Sequence, residues 1–160
     1  MKKRGRQPRH IANPQSFMVA MMGARSLDTN DQLSIAFKVR ESVDKLISGD
    51  NSNPVWRDIF DTVNMLIAFG KMKVIKTGAK DLGDELMDAV EGAMNRQKET
   101  GSNCLRPCEI DSLKYMATLW ANVLQVVSCR EYYEAEQKVL RVTENALRKG
   151  SHGSIRLLST

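Results

Sequence analysis

The stretch "CEIDSLKYMATLWANVLQVV" restricts most severely what this chain can fold into. After Ile110 its apolar residues fall at Leu113, Ala117, Trp120, Leu124 and Val127, alternately three and four residues apart. That spacing returns to one side of a 3.6-residue helix, so the segment reads as a helix packed along another helix. Ser128 with Glu131 then makes a capping box, in which each side chain takes the other residue's backbone N–H. Tyr132, Ala135, Val139, Val142 and Ala146 keep the same spacing as far as Gly150. Two long helices joined at Ser128 are expected to fold back as an antiparallel hairpin.

Upstream, similar stripes recur between breakers. Asn13 and Pro14 open a short helix stopped by Gly23, with Phe17, Met18, Met21 and Met22 on one face. A helix from Asp28 or Asn30 to Gly49 is expected to bury Leu33, Ala36, Phe37, Val39, Val43, Leu46 and Ile47. Asn53-Pro54 opens a third, with Trp56, Ile59, Phe60, Val63, Leu66 and Ile67 inward and Gly70 as its stop. "KMKVIKTGAK" lacks helical amphipathicity and reads as a connection. A fourth helix over about 80–99 aligns Leu82, Leu86, Val90, Ala93 and Gln97, and opposite them Asp81, Asp84, Glu85, Asp88 and Glu91.

Composition agrees with these patterns. Apolar residues make up 42% of the chain, aromatics only 6%, and prolines number four, which favours helices over a sandwich or barrel. At 160 residues one core is expected. The expected architecture is therefore all-α, a bundle of five or six helices ending in the long hairpin. Its parts are a flexible basic arm over 1–12, a single helical domain over 13–150 and a tail over 151–160.

Charge divides along the chain. "MKKRGRQPRH" brings Lys2, Lys3, Arg4, Arg6 and Arg9 together with no acid before Asp28, whereas residues 27–144 hold fifteen basic and nineteen acidic side chains. A basic arm on an acidic body suits a polyanion reached by the arm. Its cations, spaced by Gly5, Gln7 and Pro8, can follow phosphates or enter a minor groove. The same start could serve as a signal or transit peptide, but the following apolar run is short and broken by Asn13-Pro14-Gln15, and hydroxyls are few. No run reaches the roughly 18 apolar residues of a membrane span. Three cysteines give no disulfide framework and point to the cytoplasm.

Motifs for chemistry are missing. Both histidines, His10 and His152, fall in the tails, and no Ser, Cys or Lys sits in a nucleophile motif. "GAKDLGDE" lacks the Lys-Ser/Thr of a phosphate-binding loop. Cys104 and Cys108 are one turn apart without the second pair a structural zinc needs, so no metal or cofactor is expected. Asp81, Asp84, Asp88 and Glu91 form an acidic stripe suited to a solvated face or to a basic protein partner. Met18, Met21 and Met22 form an adaptable apolar patch.

The order "PRHIANP", "WRDI" leading into "NMLIAFG", "AVEGAMNRQKETG" and "EIDSL" resembles small helical proteins of proteobacterial phages, prophages and plasmids. The resemblance implies a mobile-element origin and carries no catalytic residue with it. The function expected is non-enzymatic: a nucleic-acid-associated regulator or accessory factor using the arm. The alternative is an inhibitor or adaptor of a host protein, working through the acidic stripe or the Met-rich patch. Tyr115, Leu119, Val123 and Leu140, beside the seams of the last two helices, add an expectation of homo-oligomerisation.

Overall fold

Local start and stop signals decide the helix boundaries. The computed structural model describes residues 25–75 and 79–148, the side chains of 79–82 and 146–148 excepted. Within them run α1 (Thr29–Ile47), α2 (Asn53–Lys71), α3 (Ala79–Thr100), α4 (Pro107–Val126) and α5 (Cys129–Arg148). No strand occurs among the described residues, only an isolated antiparallel bridge between Ser26 and Ser128. The arm, the expected helix after Asn13 and the tail lie outside them.

The Asp28 carboxylate caps α1 by accepting the Asn30 N–H at 3.3 Å. Gly49, at φ +98°, ends that helix in the left-handed conformation, with Gly49 N–H bonded to Leu46 O and Asp50 N–H to Lys45 O. Ser52 rather than Asn53 is the N-cap of α2, and Pro54 sits in its first turn. Gly70 does not stop α2: the helix runs to Lys71, and Lys73 takes the left-handed position at φ +58°. The Ser128–Glu131 capping box forms as expected, the Ser128 N–H donating to Glu131 Oε2 at 2.9 Å and the Glu131 N–H to Ser128 Oγ at 3.3 Å.

α2 is the central helix, because all four others pack against it. Every residue from Thr62 to Phe69 is consequently buried, a wider face than the expected stripe. α3 approaches α2 closely at Gly83, where a β-carbon would stand 2.6 Å from Ile67 Cγ1. Leu86, Val90 and Ala93 of α3 are buried as their spacing implied. Trp56 ties the two helices by donating its indole N–H to Gln97 Oε1 at 3.1 Å.

The last two helices depart from expectation. Leu113, Trp120, Leu124, Val127, Ala135 and Val139 are buried, but α4 and α5 do not lie alongside each other. Instead α4 packs against α1 and α3, and α5 packs against α2. The chain turns at Val127, which is extended at φ −80°, ψ 134°, and the Cys129 N–H donates to Arg25 O across the Ser26–Ser128 bridge. α4 and α5 meet near the join, where Trp120, Tyr132 and Phe69 of α2 form an aromatic triangle with centroids 6.1–6.4 Å apart. Their spacing correctly marked buried lines and wrongly assigned each line to the other.

Candidate interaction surfaces

The described body carries sixteen basic and nineteen acidic side chains, and several of the cations sit in ion pairs. Lys38 pairs with Asp58 at 2.9 Å, Lys45 with Glu41 at 2.8 Å and Arg130 with Glu134 at 2.8 Å. Arg96 of α3 bridges to Glu109 of α4, two half-buried side chains, and also donates to Cys104 O at 2.9 Å. Burial would push the Glu109 carboxyl up. The hydrogen bonds from the Arg96 guanidinium and the Arg106 N–H, with both guanidinium charges, outweigh it and hold that carboxyl below the ordinary range.

The predicted site residues fare unequally. Lys2, Lys3, Arg4, Arg6, Arg9, Met18, Met21 and Met22 lie outside the described residues, as does the side chain of Asp81. Asp84, Asp88 and Glu91 follow one another along α3 at helical spacing, Asp88 exposed and the other two half-buried. This side of α3 is not uniformly acidic, because Asp88 also lines a recess containing Arg96 and Arg106. Cys104 and Cys108 are exposed and Cys129 is half-buried. Among the described residues no three His, Cys, Asp or Glu side chains gather where they could hold a metal ion. No helix among them is long and apolar enough to cross a membrane.

Two features escaped sequence reasoning. The first is a groove of about 860 Å³ between α1 and α4, with Leu33 and Phe37 on its wall and Ala36, Ala117 and Ala121 among its lining. Leu33 and Phe37 were expected in the core and are instead 64% and 68% exposed. At about 100° per residue, Phe37 stands about 160° round the helix from Val39, whose line with Val43 and Leu46 is buried. The apolar pattern of α1 therefore extends round more of the helix than its contacts with α2 and α4 cover, and Leu33 and Phe37 are left exposed.

The second is a recess of about 360 Å³ where α1, α2, α4 and α5 converge. Asp58 there accepts from Ser42 Oγ at 3.0 Å as well as from Lys38, while Thr62 Oγ1 donates to Asp58 O at 2.7 Å. Burial, with the nearby Glu136 charge, pushes the Tyr132 hydroxyl up. Trp120 also lines the recess, and its buried indole N–H has no acceptor among the described residues. Of the residues suspected of self-association, Tyr115 and Leu140 are exposed, Leu119 is half-buried and Val123 is buried. Because α4 and α5 diverge, the exposed pair belongs to helices that do not lie side by side.

Comparisons with protein-family models, with curated proteins and with solved structures gave no match.

Proposed function

We propose that the chain is a non-enzymatic cytoplasmic accessory factor of the mobile-element kind, which attaches to nucleic acid through Lys2, Lys3, Arg4, Arg6 and Arg9. The observation that supports this reading is the partition of charge. All nineteen acids lie in the described body, while the arm has five cations and no acid. Acids outnumber bases in the described body by nineteen to sixteen, so the arm is the more concentrated source of positive charge. Binding of that kind is carried by phosphate contacts and counterion release, and it reads base sequence poorly.

The test is titration of a labelled duplex at several salt concentrations. The comparison is between the intact chain and a variant with Gln at positions 2, 3, 4, 6 and 9. Affinity carried by the arm falls by at least tenfold in the variant. Equal, salt-insensitive binding by both chains removes the arm from the function.

A second reading is favoured by Asp84, Glu85, Asp88 and Glu91 sharing α3, away from α1. These carboxylates suit a basic surface on a host protein, with the body acting as an inhibitor or adaptor. Affinity capture before and after nuclease treatment separates the two readings. An adaptor keeps its partner after nuclease and loses it on charge reversal at Asp84 and Asp88.

A further inference from the structure

We infer that the recess where α1, α2, α4 and α5 converge binds a small organic cation, one with a flat apolar body, a hydrogen-bond acceptor for the Trp120 N–H at its inner end and an ammonium group at its outer end. The inner end rests on Trp120. That ring borders the recess at 2% exposure, and its N–H is the one buried side-chain polar atom without a partner among the described residues. Other buried donors are satisfied: the Trp56 N–H reaches Gln97, and the Ser42 and Thr62 hydroxyls reach Asp58. An orphaned buried donor is costly, and an acceptor brought in by a ligand removes that cost. Trp120 is not free to turn towards one elsewhere, because Phe69 of α2 and Tyr132 of α5 hold it with ring centroids at 6.1 and 6.4 Å.

The walls suit an apolar body. Val39, Met65 and Val139, one from each of three helices, line the recess and are at most 7% exposed. The thioether of Met65 is flexible and adapts to the shape of what it meets. A volume of about 360 Å³ is far more than a single water needs, and it falls within the range of about 300–1,000 Å³ found for small-molecule sites. Few polar groups converging on a largely apolar recess is the arrangement that fixes a ligand's orientation.

Charge sets the outer end. Asp58, Asp61 and Glu136 line the recess together with Lys38 and Arg57, three acids against two bases. Lys38 is held by Asp58 at 2.9 Å, whereas Arg57 stands 4.0 Å from Asp61, the outer limit of an ion pair. One negative charge is left over, and the exposed Asp61 and Glu136 carry it on α2 and α5. The Tyr132 hydroxyl registers the same field, since burial and the Glu136 charge push it up. An ammonium at this mouth meets carboxylates from two helices, and an anion meets net repulsion. The site belongs to the helical body and uses no residue of the arm, so it stands or falls separately from nucleic-acid attachment.

The test titrates the full chain, its indole nitrogens isotopically labelled for NMR, with para-acetylphenethylamine, which joins a ketone acceptor, a flat ring and an ammonium. Trp120→Phe removes one of the two indole N–H signals and so assigns them. The Trp120 signal should move saturably at millimolar probe while the Trp56 signal stays in place. Two relatives of the probe separate its parts: para-isopropylphenethylamine has the same shape without the acceptor, and para-acetylphenylpropionate carries the opposite charge. Each should bind at least fivefold more weakly than the ketone amine. Glu136→Lys, a substitution at an exposed position, should weaken the ketone amine by a similar factor. Absence of a saturable shift at Trp120, equal shifts at both indoles, or equal binding of the three probes overturns the proposal.

Discussion

Two buried tryptophans with opposite hydrogen-bond status give a direct test of the packing. Trp56 and Trp120 are 6% and 2% exposed. The Trp56 N–H has Gln97 Oε1 at 3.1 Å, while the Trp120 N–H has no acceptor among the described residues. Changing either to Phe removes the same ring atoms, so the packing loss is similar at the two sites, on the order of 1–2 kcal/mol. The polar terms have opposite signs. Trp56→Phe also loses a hydrogen bond worth about 0.5–1.5 kcal/mol, whereas Trp120→Phe removes an unpaired buried donor that costs about 1–3 kcal/mol. Trp56→Phe should therefore be the more destabilising by about 2 kcal/mol.

Urea unfolding followed by far-UV circular dichroism measures the difference, and the single indole left in each variant reports locally on whether the transition is two-state. For a chain of this length the gap corresponds to roughly 4–8 °C in melting temperature. A Trp120→Phe protein as unstable as Trp56→Phe, or more so, would refute the reasoning, since it would mean that the Trp120 N–H is satisfied in solution.

Three further outcomes follow from particular residues. Lys73→Gly should stabilise by about 0.5–1 kcal/mol in the same assay, because glycine relieves a left-handed lysine at φ +58° and gives back part of that gain as chain entropy. Glu109 has a folded pKa below its unfolded one, so its contribution to stability is present above about pH 4.3 and is lost as pH falls through the lower folded value; acid titration of Glu109→Gln should show a shallower loss over that window. If all five arm cations displace counterions, the slope of log affinity against log salt should be about −4.5, and it should flatten towards zero in the five-Gln variant.

Signals that act within one or two turns were readable in the sequence. Asp28 and the Ser128–Glu131 pair mark helix starts because a cap depends on residues two or three positions away. The lines Leu86, Val90, Ala93 and Leu113, Trp120, Leu124 are buried because a strong apolar line needs some partner, whichever it proves to be. Partner identity was not readable. Leu33 and Phe37 looked like core because α1 carries apolar residues round much of its surface, and only the positions of α2 and α4 decide which of them are covered. The Arg96–Glu109 bridge spans thirteen positions and two helices, so no local pattern announces it. Gly70 failed as a stop because buried neighbours on α2 hold the helix past it, and the left-handed turn falls on Lys73.

One junction accounts for the largest departure and for the open groove together. Ser128, as N-cap of α5, holds Glu131 in its capping box, and Val127 before it is extended. Ser26 pairs across the same point, and the Cys129 N–H is committed to Arg25 O, so this backbone serves the incoming chain instead of a tight α4–α5 turn. α5 is thereby sent along α2, where Ala135 and Val139 find their cover. Without α5 beside it, α4 offers a flank to α1, and the two helices leave Leu33, Phe37 and the alanines between them facing outward. A capping box four residues long thus decides more than the start of one helix. It selects which pairs of apolar lines meet, and with them which groove the pairing leaves open.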